Sequence, residues 1–291
     1  MTKLSKGTSL VIVLLIYAAA FAGGLFSHRL IFSWTSDALL SFFIGDVIAT
    51  IIVWLIGLLV RNSSMYDPYW SVTPIVLMVF FILLLAPGFT TPGILLLIAI
   101  AVWGVRLTLN WIRDWPGMKH EDWRYVNMRN NPSSWHIQNF FGIHMIPTLI
   151  VFAGMIPAYF ATAIGGAANM LSYVGLAVCL LSALIQFISD GQMRAFRKQS
   201  GNKGQNMASG LWKNSRHPNY FGEIAFWWGV WLIQLSVLPS YWWTVAAPVL
   251  MTMLFVFISI PLMEKKLLAS KEGYSEYIKN TSMLLPLPKK S

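Results

Sequence analysis

Apolar residues run along this chain in long blocks divided by short polar segments. The blocks cover roughly residues 9–26, 39–60, 71–86, 92–112, 140–162, 168–188, 221–238 and 241–262. A helix needs about 20 such residues to cross the hydrocarbon core of a bilayer. The pattern predicts an all-α fold, a polytopic transmembrane helical bundle of about eight spans. The 71–86 block is short and Gly/Pro-rich blocks can be re-entrant, so seven and nine spans are the alternatives. No internal repeat or soluble domain interrupts the pattern, and residues 1–291 read as one membrane domain.

The polar segments alternate in character. One set holds Lys3 and Lys6, Arg61, the 113–139 segment, the 189–220 segment and the tail from 263. The other set is 27–38, 87–91, 163–167 and 239–240. With Arg106 counted beside its neighbouring segment, every one of the 21 Lys and Arg except Arg29 falls in the first set. Cytoplasmic loops carry such an excess, so both termini are expected in the cytoplasm. Topology thereby accounts for the net charge of +10, and nucleic-acid binding is not expected. The first block follows a basic N-terminus as a signal peptide would. Its length and the poor cleavage site "SHRL" make it an anchor instead.

Composition sharpens this reading. The chain is 56% hydrophobic and 11% charged, with a mean hydropathy of +0.61. Soluble domains carry about 25% charged residues, so a soluble enzyme is excluded. The single cysteine, Cys179, lies in an apolar run and has no disulfide partner. Histidines 28, 120, 136, 144 and 217 form no ligand spacing, and no metal is expected.

Polar groups at membrane depth are costly and mark candidate sites. In "IQFISDGQMRAFRKQ", Gln186, Asp190, Arg194 and Arg197 are spaced four, four and three, one stripe on one helix face. A helix-end ion pair of Asp190 with Arg194 is the plain alternative. It leaves Gln186 and the acid unexplained, whereas two guanidiniums oriented by an acid suit a phosphate. The polar, Gly/Asn-rich "SGNKGQNMASGLW" follows as a loop, and then "NSRHPNYFGEIAFWWG". There Pro218 fits the first turn of a helix, with Ser215 or His217 near its cap. Arg216 and His217 beside free helix amides would suit an anion. Asn219 and Glu223 share a face; Glu223 either complements the helix dipole or would hydrogen-bond a ligand amide or ribose hydroxyl, and a cluster this polar favours the second.

Two further segments are less sharp. Arg106, Asn110 and Arg113 stand at helical spacing, with Asp122, Arg124, Tyr125 and Arg129 beyond them. An amphipathic connector lying on the membrane explains the latter group equally well. "MYDPYWS" holds Tyr66, Asp67 and Tyr69. An interfacial aromatic belt accounts for its aromatics, and Asp67 is either a helix cap at Pro68 or a site acid. Asp46 is an isolated acid inside the second block and needs a partner or a water-filled cavity.

"DPYWS", "RLTLNW", "WPGMKHEDWRY", "SDGQMRAFRKQ" and "SRHPNYFGEIAFWWG" together resemble the bacterial integral membrane proteins grouped with the steroid 5-alpha-reductase C-terminal domain, a group carried as a domain of unknown function. The likeness spans about residues 65–291, with the implied cofactor site mainly in 186–223. Sterol C14 and delta-7 reductases are related to this group. The resemblance implies an NADPH-dependent membrane oxidoreductase that saturates an activated carbon–carbon double bond in a lipophilic substrate. It further implies a bacterial inner membrane location.

The reductases' "SD-x-x-L-R-x-L-R" segment is matched by Ser189, Asp190, Arg194 and Arg197, with Met193 for the leucine. Their "A-N-F-L-G-E" segment is matched by Asn219, Phe221, Gly222 and Glu223. The sterol enzymes' "R-H-x-N-Y-x-G" is matched by Arg216, His217, Asn219, Tyr220 and Gly222. The implied NADPH-binding set is therefore Asp190, Arg194, Arg197, Arg216, His217, Asn219, Tyr220 and Glu223, with Gln186 on the same helix face; Arg106 is added to it as the deepest-lying arginine of the 106–131 segment. The family's substrate-binding Glu and Tyr have no counterpart by motif, and Asp46, Tyr66 and Asp67 are placed as catalytic candidates by position alone. The family's His-rich C-terminal stretch is replaced by "PLMEKKLLASKEGYSEYIKNTSMLLPLP", so a steroid is not implied.

Two other classes remain open at this stage. Isoprenylcysteine and phospholipid methyltransferases, which use S-adenosylmethionine, carry a similar "RHPxYxG" with a later acid, tyrosines and proline. Glu264, Tyr274, Tyr277 and Pro286 fit that pattern here. A non-catalytic lipid-binding protein or transporter would place its polar groups near the bilayer midplane, whereas these gather at the basic edge.

Overall fold

The structure, a computed structural model, describes residues 4–85 and 89–288. Lys3, Lys289, Lys290, the end of the 71–86 block and part of the 87–91 loop lie outside the described residues. The chain folds into α1 (Lys6–Thr35), α2 (Ala38–Val60), α3 (Tyr69–Leu84), α4 (Thr91–Asp114) and the short α5 (Trp123–Arg129). It continues with α6 (Pro132–Ala163), α7 (Met170–Lys198), α8 (Pro218–Val237), α9 (Pro239–Ser270) and α10 (Tyr274–Asn280). Beyond one isolated bridge, Ser215 with Ser282, the regular elements of the described residues are all helical.

Local chemistry sets the helix starts. The Ser5 hydroxyl accepts from the Thr8 amide at 3.1 Å, and Thr90 caps α4 just ahead of Pro92. Asn169 and Ser172 close a reciprocal capping box on α7. Pro218 opens α8 as expected, with His217 at the cap position but giving no side-chain cap bond. The short third block gains length from a 3-10 turn at Ser63–Tyr66, so that Ser63–Leu84 spans 22 residues. α6 and α9 each contain a widened π-helical stretch, at Gln138–Met145 and Phe255–Ser259.

Seven helical segments are long and apolar enough to cross a membrane. α8 is not among the seven, although the sequence pattern of about eight spans counts it. Its 20 residues reach about 30 Å at 1.5 Å per residue, but Asn219, Glu223 and Gln234 dilute its hydropathy. Two sets of contacts fix its course. At its far end, the Asn169 amide donates to the Ser236 carbonyl at 2.7 Å, and Ser172 and Ser236 hydroxyls pair at 2.6 Å. At its start, the Arg216 amide donates to the Ser282 carbonyl. Lys6 reaches the Arg113 carbonyl and Arg194 reaches Asp114, so both terminal segments gather at one end of the bundle. Apolar side chains such as Leu14, Leu59, Leu83 and Phe257 are exposed around the outside, the surface a bilayer would cover.

α7 and α8 touch backbone to backbone. A Cβ on Gly222 would stand 2.6 Å from Gln186 Cγ and 2.8 Å from the Ser182 carbonyl oxygen, and one on Gly175 2.9 Å from the Ile233 nitrogen. Small residues allow this approach between membrane helices. Gly175→Ala and Gly222→Ala are each expected to cost about 1–3 kcal/mol by overpacking, read as a lower melting temperature of the purified protein. Unchanged melting in both would overturn the close approach. Beside this seam the Trp103 ring stacks on Phe226 at 4.8 Å and meets Trp227 edge-on at 5.3 Å.

Candidate functional site

The basic end of the bundle holds a ladder between α4 and α7. The Arg106 guanidinium donates to Asp190 Oδ2 at 2.9 Å and, through its other terminal nitrogen, to the Gln186 carbonyl oxygen. Asn110 donates to the same Asp190 oxygen at 3.3 Å and accepts from Arg194, whose Nε lies 3.1 Å from Asp114. The helical stripe Gln186, Asp190, Arg194 therefore meets a second stripe, Arg106, Asn110, Asp114, rather than pairing within itself. The Asp190–Arg194 pair along one helix does not form. Arg197 continues the stripe into an exposed position. Burial and the charge of Arg197 hold the nearby Lys271 ammonium below its ordinary range.

α8 closes the third side. Glu223 is 4% exposed, and its carboxylate accepts from the Trp103 indole at 2.9 and 3.1 Å and the Trp227 indole at 3.2 Å. Arg106 lies within electrostatic reach of both Glu223 and Asp190, and Asn219 stands beside Asp190. Two buried donors in this junction are unpartnered, Gln186 Nε2 and Arg106 Nε. Buried polar groups are normally satisfied, so both are spare valences at the meeting of α4, α7 and α8. Trp103 escapes notice in the sequence because tryptophan in an apolar run reads as packing. It lies one helical turn before Arg106, on the same face.

Arg216 and His217 are used differently. Arg216 Nε donates to Glu264 at 2.7 Å, and Nη1 donates to the carbonyls of Ile278 and Thr281 at 3.1 and 2.5 Å. His217 Nε2 lies 3.0 Å from the same Glu264 oxygen. The His217 ring stacks on Tyr220 at 5.3 Å, and Tyr220 packs on Phe255 at 4.9 Å. Tyr277 donates to the Trp212 carbonyl, and burial raises its phenol above the ordinary range. This cluster joins α8 to α9 and clamps the C-terminal segment. Arg216, 8% exposed, spends Nε and Nη1 inside it.

The three acid and tyrosine candidates separate. Tyr66 donates to the His144 carbonyl at 2.8 Å and pairs with Thr148 at 2.6 Å, anchoring the widened turn of α6. Asp67 accepts from Tyr125 and gives no cap to α3, so the capping alternative fails. That bond is one of several strapping the connector to the start of α3. Asn62 donates to the Met118 carbonyl at 2.6 Å, and Ser64 accepts from the Asp122 amide at 2.7 Å. Asp122, Arg124, Glu121 and Arg129 pair among themselves.

Asp46 has the partner it needs. Tyr69, on the neighbouring pass, donates to its carboxylate at 3.4 Å. Both are buried, and Asp46 lines a cavity of ≈ 30 Å³ together with His28 and Thr73, whose hydroxyl is unpartnered. That is room for a water or two. Trp70, next to Tyr69 in the chain, meets Trp103 edge-on at 6.0 Å, and Trp103 in turn donates to Glu223. The aromatic-belt reading hid Tyr69, and the acid was legible only as an isolated charge.

These features define a multi-pass helical membrane protein with a polar, multi-helix junction at its basic end. The chain belongs to the family described as "Protein of unknown function (DUF1295)", whose model matches residues 53–281; that family includes steroid 5-alpha-reductase-like proteins. The chain is also similar to "Uncharacterized protein C594.04c" of Schizosaccharomyces pombe. The two are 25% identical over 237 residues, 72% of this chain and 67% of the yeast protein. No solved structure matches the chain.

Proposed function

We propose that the protein is an NADPH-dependent membrane reductase of the steroid 5-alpha-reductase-like kind, acting on an activated carbon–carbon double bond of a lipophilic substrate. The observation that carries this reading is the junction of Arg106, Gln186, Asp190, Asn219 and Glu223 from three helices, with two buried donors left spare. Its residues fit a nicotinamide nucleotide. Glu223 and Asn219 suit an amide and hydroxyls, and the spare donors suit acceptors. Arg197, exposed at the end of α7, adds a guanidinium that suits a phosphate. The basic end would face the cytoplasm, most simply across a bacterial inner membrane.

When bound, NADPH would supply the hydride. The chain's own groups would do the rest. With Asp46 protonated and donating to the Tyr69 oxygen, the Tyr69 hydroxyl would turn its own proton to the carbonyl conjugated to the double bond. It would stabilise the enolate left after hydride addition at the far carbon. A proton delivered through Asp46 would then complete the saturated product.

A second reading has an observation of its own. Glu264 from α9 joins Arg216 and His217, while Tyr277 packs on the same clamp. This brings together the residues that resemble the S-adenosylmethionine-dependent methyltransferases. One experiment separates the two readings: melting of the purified protein with NADPH and with S-adenosylmethionine. A ligand that binds only the folded state raises the melting temperature by mass action. NADPH is expected to raise it, and Arg197→Ala to diminish that rise without changing the melting of the free protein. A rise with S-adenosylmethionine alone would sink the reductase reading.

A further inference from the structure

On the outer side of the ladder, α4 and α7 part to form a groove of ≈ 590 Å³, in the size range of small-molecule sites. Its walls have two characters. Val102, Val105, Leu109 and Phe187 form the apolar length, and all four are exposed on the surface a bilayer would cover. Arg106, Arg113 and Arg194 line it toward the basic end, with Asn110 and Asp190. Asp190 answers the charge of Arg106, and Asp114 that of Arg194. The Arg113 guanidinium makes no hydrogen bond or ion pair among the described residues and stands exposed. Gly191 keeps the wall open, since a Cβ there would meet nothing within 4 Å.

We propose that this groove binds an anionic phospholipid from the surrounding bilayer. The headgroup phosphate sits among Arg113, Arg194 and Asn110, and one acyl chain lies along Val102, Val105, Leu109 and Phe187. Charge and depth together select this occupant. Arg113 stands in the last turn of α4 and Arg194 in the last turns of α7, guanidiniums meet phosphate with paired hydrogen bonds, and basic residues near the ends of spans attract anionic lipid. A free nucleotide has no use for the aliphatic wall. The site goes beyond the reductase reading and stands without it, although Arg106 and Asp190 form the partition between the groove and the junction.

The test is lipid binding to the full chain in neutral detergent, followed by native mass spectrometry. Phosphatidylglycerol, phosphatidylcholine of the same chains, and inorganic phosphate are the three probes. Phosphatidylglycerol is expected to bind most tightly. Arg113→Gln should weaken it about five-fold, and Arg113→Gln with Arg194→Gln about thirty-fold. Gly191→Leu projects a side chain into open space, so the protein should fold while the groove is filled and the lipid is lost. Equal binding of phosphatidylcholine overturns the proposal, as does undiminished binding in Gly191→Leu. Displacement of the lipid by millimolar inorganic phosphate overturns it too, by assigning the cations to a free anion. Saturating NADPH should leave the lipid bound; its displacement by NADPH would assign the groove to the nucleotide and end the lipid proposal while strengthening the reductase one.

Discussion

Arg216→Ala is expected to destabilise the protein by about 3–5 kcal/mol, the usual cost of breaking a buried ion pair from one side. Three bonds explain the size. The guanidinium neutralises Glu264 and satisfies the carbonyls of Ile278 and Thr281. Without it a mostly buried carboxylate keeps only His217, and two carbonyls lose their donor. Arg216→Lys should recover little, because a point charge cannot fork toward a carboxylate and two carbonyls at once. Thermal unfolding reads the loss, and trypsin reads its location. Cleavage after Lys279, protected in the parent, should become fast in Arg216→Ala. An unchanged melting temperature would show that the clamp carries no stability and would free Arg216 for a ligand.

Glu223→Ala should cost about 2–6 kcal/mol, and for a different reason. Two buried indole N–H groups, on Trp103 and Trp227, lose their acceptor. Each unsatisfied buried donor costs about 1–3 kcal/mol, and the deleted side chain leaves a void. Glu223→Gln keeps the volume and one acceptor oxygen, so its melting temperature should stay close to the parent's. The pair of variants separates packing from binding. Under the proposed function, Glu223→Gln loses most of the stabilisation that NADPH confers, despite its near-normal fold. If Glu223 serves only the two indoles, Glu223→Gln keeps that stabilisation in full.

The passes were legible because a bilayer demands long apolar blocks and the chain supplies them. α8 shows the limit of that signal. Its buried Glu223 and Gln234 lower its hydropathy, yet its contacts carry it the full depth of the bundle. The stripe Gln186, Asp190, Arg194 was legible from helical spacing, but its partners were not. Asp190 takes Arg106 from 84 residues away in place of Arg194 four residues on, because helix packing buries the former pair and leaves Arg194 to reach Asn110 and Asp114. Arg216 reads as an anion-binding cation in any linear motif. Only the returning tail reveals that its Nε and Nη1 are spent on Glu264 and two carbonyls. Tyr69 was hidden because a tyrosine near a span's end serves a headgroup belt as readily as a buried acid, and spacing along one chain says nothing of what faces it across the bundle.

The clamp on Arg216 has a consequence for how the protein is made. The carbonyls that receive its guanidinium belong to residues 62 and 65 positions further on. During synthesis the rest of α8 and the whole of α9 are therefore made before those acceptors. Until then a guanidinium destined for burial sits at the membrane surface without its partners. The clamp is thus the last part of the basic end to close, and a chain lacking residues 278–281 would leave the start of α8 unfastened.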